Sequence, residues 1–432
     1  MQIPVTRIST FSKSVGVLAS GSLFAQFLLL CTAPIITRIY EPGLLGRAAV
    51  FNAIMGILAP AICGKYEIAV VTTPSSQEAK TAFTLATRTA LFISLAFLPV
   101  TFLCSDFIAS LLNSSGLADG LFLLPLALFS FGANTAAFQY AIRFGGLKSA
   151  AVSRAIYAFV FVTSAICLGL LGQSNGLIIA IPIAWFASFI SLLTTHSDLR
   201  KHFLDPLQAK HYNLALDYKR LPQFNASTGI INGLTCALPA LAIITFYDSA
   251  TVGFYAIIIR VTLGPLSALG ATLGTMNQHI IAENIRTGLP ADQHFRRLLT
   301  GLATAGTLAV IIAISFGPTV FEVVFGPEWR IAGKYLQILS PGIAIRFIGS
   351  TLSTTFGATG YDRLAAYWKI FAFISTITAL FIIPLSQDPM SIFVRIAILD
   401  AVLYTIYLTL AWYCVSPKTA LKDEVNVQRS AA

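Results

Sequence analysis

The sequence predicts an all-α polytopic membrane protein, with twelve transmembrane helices in two pseudo-symmetric six-helix lobes around a central cavity. Three observations carry that prediction. With 56% hydrophobic and 11% charged residues and a mean hydropathy of +0.78, the chain is too apolar for a soluble globular or disordered protein. Apolar runs of about 20 residues, the length that crosses a bilayer, recur along all 432 residues. The basic residues fall into alternate connecting segments rather than onto one soluble face.

The first six runs are 15–37, 44–64, 82–104, 117–141, 150–171 and 175–195. The second six are 223–246, 251–276, 298–316, 335–357, 365–385 and 391–414. The longest internal polar stretch, 196–222, separates the two sets as a linker. This gives an N-lobe at 1–195, a C-lobe at 223–414 and a tail at 415–432. The first run is longer than a signal-peptide core and no small-residue cleavage site follows it, so the N-terminus is expected to be retained.

A net charge of +10 could mark a nucleic-acid surface, but its distribution says otherwise. If both termini are cytoplasmic, 21 of the 28 lysines and arginines lie inside. Only Arg38, Arg47, Arg330 and Lys334 fall outside, and Arg260, Arg346 and Arg395 lie within spans. The positive-inside rule therefore fits twelve helices, and no nucleic-acid partner is expected.

Corresponding places in the halves look alike. Tyr40-Glu41-Pro42-Gly43-Leu44-Leu45-Gly46, after span one, recurs as Tyr247-Asp248-Ser249-Ala250-Thr251-Val252-Gly253 after span seven. A weaker echo joins 107–113 to 320–326. Six spans return the chain to its starting side, so the halves should be related by an axis along the membrane normal. Prolines at 34, 60, 99, 125, 182, 239, 265, 341 and 384 lie in or near span ends, where each removes a backbone donor and can bend its helix.

Arg260 and Arg346 are the residues that bear most on function. Each lies about ten residues inside an apolar run and so near the bilayer midplane, where an arginine costs roughly 2.5–3.5 kcal/mol to insert. Two such charges call for a polar cavity or an anion, and an anion pathway is the first functional reading. At helical spacing Arg346 shares a face with Gly342, Gly349, Ser350, Ser353, Gly357 and Gly360. Arg260 shares one with Gly253, Ala256, Gly264, Ser267, Ala271 and Gly274. Small residues alone favour close helix packing; beside a guanidinium they favour room for solvent and a bulky ligand.

Arg47 and Arg395 lie near the outer ends of their spans and can snorkel to the interface, with Arg47 a candidate for the cavity mouth. Gln26, Asn52, Asn134 and Asn232 are polar positions on four different spans, serving either interhelical hydrogen bonds or the substrate. Asp400 is the one acid well inside a span. Five residues from Arg395, it points about 140° away from it on a helix, which disfavours a simple pair. It is either a coupling carboxylate or a structural partner for an arginine on another helix, and the structural role is the one adopted. Glu67, at the inner end of span two, is expected in an interfacial salt bridge.

The six cysteines lie in or at the ends of apolar spans, without paired spacing, and read as small buried hydrophobes. The five histidines occupy connecting segments without metal-ligand spacing. No phosphate-cradling glycine loop, serine elbow or paired-acid motif appears, so neither a cofactor nor an enzyme is predicted.

Two sets of motifs carry a family resemblance. The first is Ile35-Ile36-Thr37-Arg38-Ile39-Tyr40-Glu41-Pro42-Gly43-Leu44-Leu45-Gly46 with Lys65-Tyr66-Glu67-Ile68-Ala69. The second is Phe325-Gly326-Pro327-Glu328-Trp329-Arg330-Ile331-Ala332-Gly333, Leu339-Ser340-Pro341 and Gly357-Ala358-Thr359-Gly360. These resemble the oligosaccharide flippase (Wzx-type) family of the multidrug/oligosaccharidyl-lipid/polysaccharide exporter superfamily. The resemblance implies two six-helix bundles around a cavity open alternately to cytoplasm and periplasm. It implies an undecaprenyl-diphosphate-linked oligosaccharide as substrate and the bacterial inner membrane as location. Polysaccharide polymerase and chain-length machinery would be the further partners. Cavity arginines binding the diphosphate are a feature of related flippases, a role that Arg260 and Arg346 would fill. A drug or cation exporter of the same fold is the alternative, but it wants acids in the cavity. A membrane-embedded glycan polymerase or ligase would need a catalytic residue on a larger outer loop.

Overall fold

The computed structural model describes residues 5–287, 289–384 and 386–416, with side chains from Ser20 onward apart from Ser115. Among these residues every regular element is helical. Eleven helices are long and apolar enough to cross a membrane. The major helices are α1 (Val5–Ile39), α2 (Pro42–Leu58), α3 (Ser76–Leu111), α4 (Leu124–Arg143), α5 (Leu147–Leu170) and α6 (Gly176–Thr195). They continue with α7 (Ser227–Phe246), α8 (Ser249–Thr287), α9 (Ala291–Phe325), α10 (Arg330–Leu352), α11 (Asp362–Ile377) and α12 (Met390–Val415). The twelfth expected span is α10, which is 23 residues long and so of spanning length. Its apolarity is diluted by Lys334, Gln337, Arg346 and three glycines, which sets it apart from the other eleven. The expected tail lies, from residue 417, outside the described residues.

Local chemistry sets the helix starts. Glu41 is extended, and Pro42 opens α2 where a missing N–H costs nothing. The Ser75 hydroxyl accepts from the Gln77 N–H at 3.1 Å, capping α3. Asp248 does the same for α8, its Oδ1 accepting from the Thr251 N–H at 2.7 Å.

The helices overrun the apolar runs. α3, α8 and α9 have 36, 39 and 35 residues, or roughly 50–60 Å at 1.5 Å per residue, well beyond a ~30 Å hydrocarbon core. Lys80, Arg286, Arg296 and Arg297, expected on connecting loops, therefore lie on helical extensions. Hydropathy marks where lipid ends, not where the helix does, because Lys, Arg, Glu and Gln are good helix formers.

By packing, the chain forms two compact units, Met1–Gly253 and Phe254–Ala432. The division falls one helix beyond the expected 196–222 linker. The reason is visible in unit one, where α7 lies against α2 so closely that a Cβ added at Gly233 would meet the Gly56 carbonyl and sit 3.0 Å from Ile57 Cα. Elsewhere in this unit α1 packs on α5, α5 on α6, and α4 on both α3 and α6. The two echoing segments also touch here. A Cβ at Gly46 would fall on the Ser249 carbonyl, and one at Gly253 on the Pro42 carbonyl.

The linker is not a bare loop. It contains two short helices, Ser197–Leu204 and Ala209–Asp217, fastened to α3. Lys80 pairs with Asp198 at 3.3 Å, the Thr84 hydroxyl donates to the His202 carbonyl at 2.9 Å, and Arg88 donates to the carbonyls of Phe203 and Asp205 at 3.1 and 3.0 Å. In unit two, α9 and α12 pack on α10 around a core that includes Phe295, Leu302, Ile348, Leu352, Phe356 and Tyr407.

Candidate functional site

Unit two brings together two of the residues singled out in the sequence. Arg346, in the middle of α10, places Nη1 3.6 Å from Asp400 Oδ2 on α12, with both side chains largely buried. Glycine makes the approach possible. A Cβ at Gly342 would sit 2.9 Å from the Ala397 carbonyl oxygen and 3.3 Å from Asp400 Cβ, and one at Gly349 would sit 2.7 Å from the Tyr404 ring. These two glycines serve close packing, where the sequence favoured room for a ligand. They seat the helix that carries the counter-ion.

Arg395 is engaged elsewhere, donating to the carbonyls of Ala379, Ile383 and Pro384 at 2.7–2.8 Å. Ala379 belongs to a π-helical turn, Thr378–Ile382, and Ile383 and Pro384 follow it, so Arg395 satisfies carbonyls where the helix ends. Arg260 is half-buried on α8. Part of its small-residue face is again packing: a Cβ at Gly274 would lie 3.1 Å from the Thr351 carbonyl.

In unit one the predicted residues scatter. Arg47 lays its guanidinium against Gly116, where a Cβ would collide with Nη1. Gln26 and Asn232 are exposed on α1 and α7, and Asn134 is buried within the bundle with its Oδ1 lacking a hydrogen-bond partner. Asn52 lines a cavity of about 460 Å³.

That cavity is formed by α2, the turn after it, α4, α5 and α6. Its wall includes Met55, Ile62, Lys65, Glu67, Phe131, Thr135, Tyr157 and Trp185. The rings of Tyr157 and Trp185 lie 4.0 Å apart at 32°, and Phe131 meets Trp185 edge-on at 5.0 Å and 90°. Lys65 Nζ stands 3.5 Å from Glu67 Oε1, fulfilling the expected salt bridge, while Glu67 Oε2 is buried without a hydrogen-bond partner. Burial raises the Glu67 carboxyl above its ordinary value, against the pull of its own backbone N–H and of Lys65. One turn before Tyr157 on α5, Arg154 donates to the Ser22 hydroxyl at 2.9 Å and stacks over Phe138.

Lys65, Arg154, Tyr157 and Trp185 were not among the predicted site residues. Sequence reading took the first two as topological charges and passed over the aromatics as ordinary span residues. Lys65 did carry a signal: it follows Gly64 in a Gly-Lys pair at a span end.

Residues 35–333 match a family described as polysaccharide biosynthesis protein. No curated protein sequence matches the chain. Among solved structures, the lipid II flippase MurJ in an inward closed conformation superposes with a TM-score of 0.73, at 14% identity over 93% of this chain and 87% of that one. An inward-facing multidrug resistance MATE family transporter of the MOP superfamily gives 0.68 at 13% identity, covering 94% and 96%. A MOP superfamily transporter from Pyrococcus furiosus, described as having a binding pocket of reversed polarity, gives 0.61 at 13%, covering 95% and 96%. At these identities the likeness is one of fold. The chain is thus a multi-pass membrane protein with a transporter fold, and it belongs to the polysaccharide biosynthesis protein family.

Proposed function

We propose that this protein is a flippase that carries undecaprenyl-diphosphate-linked oligosaccharide repeat units, precursors of O-antigen, capsule or exopolysaccharide, from the inner to the outer leaflet of the bacterial cytoplasmic membrane. It works by alternating access between two six-helix lobes and is not an enzyme. Family membership supports the glycan, and the fold shared with a lipid II flippase supports the lipid carrier.

The observation that carries the reading is Arg346, a guanidinium held mid-helix in a membrane protein with Asp400 beside it. A guanidinium offers five N–H donors in a planar fork that matches phosphate oxygens bidentately. Arg260 supplies a second cation on α8. Arg47, Gln26, Asn52, Asn134 and Asn232 complete the proposed substrate set, with the diphosphate at the arginines and the sugars at the amides. Polymerase and chain-length machinery would act on the product.

A second reading, a multidrug or organic-cation exporter of the same fold, is supported by the fold shared with a multidrug resistance MATE family transporter. Proteoliposomes separate the two. Loaded with the host's lipid-linked oligosaccharide, they should expose the glycan to an external lectin only when the protein is present. Extrusion of ethidium with no exposed glycan would reverse the assignment.

A further inference from the structure

The diphosphate is proposed to bind at the arginines, and the lining of the cavity in unit one argues for a different ligand. Its volume, about 460 Å³, falls within the ~300–1,000 Å³ of small-molecule sites. One wall is aromatic. Phe131 edges onto Trp185 and holds the indole against Tyr157, giving a fixed apolar platform.

The opposite character comes from Lys65 and Glu67, adjacent charges of opposite sign whose sum is zero. An anion entering here would meet the Glu67 carboxylate, and an organic cation would meet the Lys65 ammonium. A neutral ligand with neighbouring hydroxyls would meet no repulsion. One hydroxyl can accept from Lys65 while the next donates to Glu67 Oε2, a buried acceptor with no partner in the protein. Asn52 adds an amide whose N–H donates to the Ala48 carbonyl at 3.0 Å, leaving its oxygen to accept.

The backbone supports a built site. Gly64 and Lys65 both have left-handed φ, +59° and +62°. For a lysine this conformation costs of order 1 kcal/mol or more and persists only where the surroundings impose it. From α7, a Cβ at Gly229 would lie 2.8 Å from Pro60 and 3.4 Å from Lys65 Cε, so that flank is closed.

We infer that this cavity is a saccharide subsite, taking one uncharged sugar ring of the glycan with its C–H face on the Tyr157–Trp185 pair and its hydroxyls on Lys65, Glu67 and Asn52. The inference rests on the flippase reading for the identity of the cargo. It adds that recognition of the sugar is separate from recognition of the diphosphate.

The test is calorimetry on the full-length protein in nanodiscs. The probe is the free repeat-unit oligosaccharide released from the host's surface polysaccharide, without lipid or phosphate. It should bind the wild type. Trp185→Leu and Glu67→Gln should each weaken it by about tenfold or more, the loss of one aromatic face or one charge-assisted hydrogen bond. Trp185→Tyr, which keeps a ring, should retain most of the affinity and shows that loss in the leucine variant is not misfolding. Inorganic pyrophosphate and tetraphenylphosphonium should not compete. Absence of oligosaccharide binding, binding indifferent to both substitutions, or competition by tetraphenylphosphonium would overturn the subsite. The proteoliposome assay keeps the two ideas apart. Flipping without free-oligosaccharide binding removes the subsite and spares the flippase reading, whereas binding without flipping does the reverse.

Discussion

At the scale of the residue, a charge inside a membrane span is tolerable only with company, and Arg346 shows who keeps it. The sequence singles it out as a lone cation about ten residues inside a largely apolar, Gly/Ser/Thr-rich run. Its partner was not legible there, because Asp400 lies on another helix and only the packing of Gly342 and Gly349 brings the two within 3.6 Å. Arg395, the acid's neighbour in sequence, turns out to cap backbone carbonyls. The pair sets up a double-mutant cycle. Arg346→Ala should lower thermal stability by several degrees, since it strands a buried carboxylate, and should lose most glycan export. Arg346→Ala with Asp400→Ala should regain the stability but not the export. Lysine at 346 should restore export only in part, keeping charge without the fork. If Arg346→Ala exports normally at native expression, or if the double variant is no more stable than the single, the proposed division of roles fails.

At the scale of the element, the sequence located each helix by its apolar centre and misjudged its ends. The polar extension of α3 is where the linker docks, and the linker itself was read as a connecting loop because its helices, Ser197–Leu204 and Ala209–Asp217, are too short and polar to stand out by hydropathy. Their docking has a pH dependence that can be signed. Burial holds the His211 imidazole below its ordinary value, partly offset by its hydrogen bond to the Gln208 backbone. Folding therefore releases a proton from His211 on the acid side, so stability is intact above the unfolded value of about 6.5 and declines as pH falls below it. Asp205, held low by the His202 ring at 2.8 Å, behaves differently. Its contribution survives that range and is lost only below the ordinary carboxylate value of about 3.9. Melting temperature measured from pH 7.5 to 5 should drop in the wild type and drop less in His211→Gln. Parallel curves would show that the imidazole is not the titrating group.

At the scale of the whole molecule, charge partition remains the strongest statement the sequence makes about orientation. Reporters fused within 196–221 and just after Cys414 should be cytoplasmic, and one near Asp388 should be periplasmic. A periplasmic signal from 196–221 would break both the span count and the proposed two-lobe repeat. The membrane class, the transporter fold and the family were all readable from composition, periodicity and short motifs. The cavity of unit one was not. Its wall draws residues from four long helices and a turn, and each of them in isolation looks like ordinary packing.

The contact between the two echoing segments has a further meaning. Gly46 lies under the Ser249 carbonyl, and Gly253 lies under the Pro42 carbonyl. Ser249 stands in the second segment where Pro42 stands in the first, and Gly253 where Gly46 stands. An arrangement in which position i meets position j while j meets i is what a two-fold interface between identical chains produces. Here it occurs within one polypeptide. The echo between the two segments is thus matched by a reciprocal contact, each glycine packing under the carbonyl that its counterpart's segment supplies.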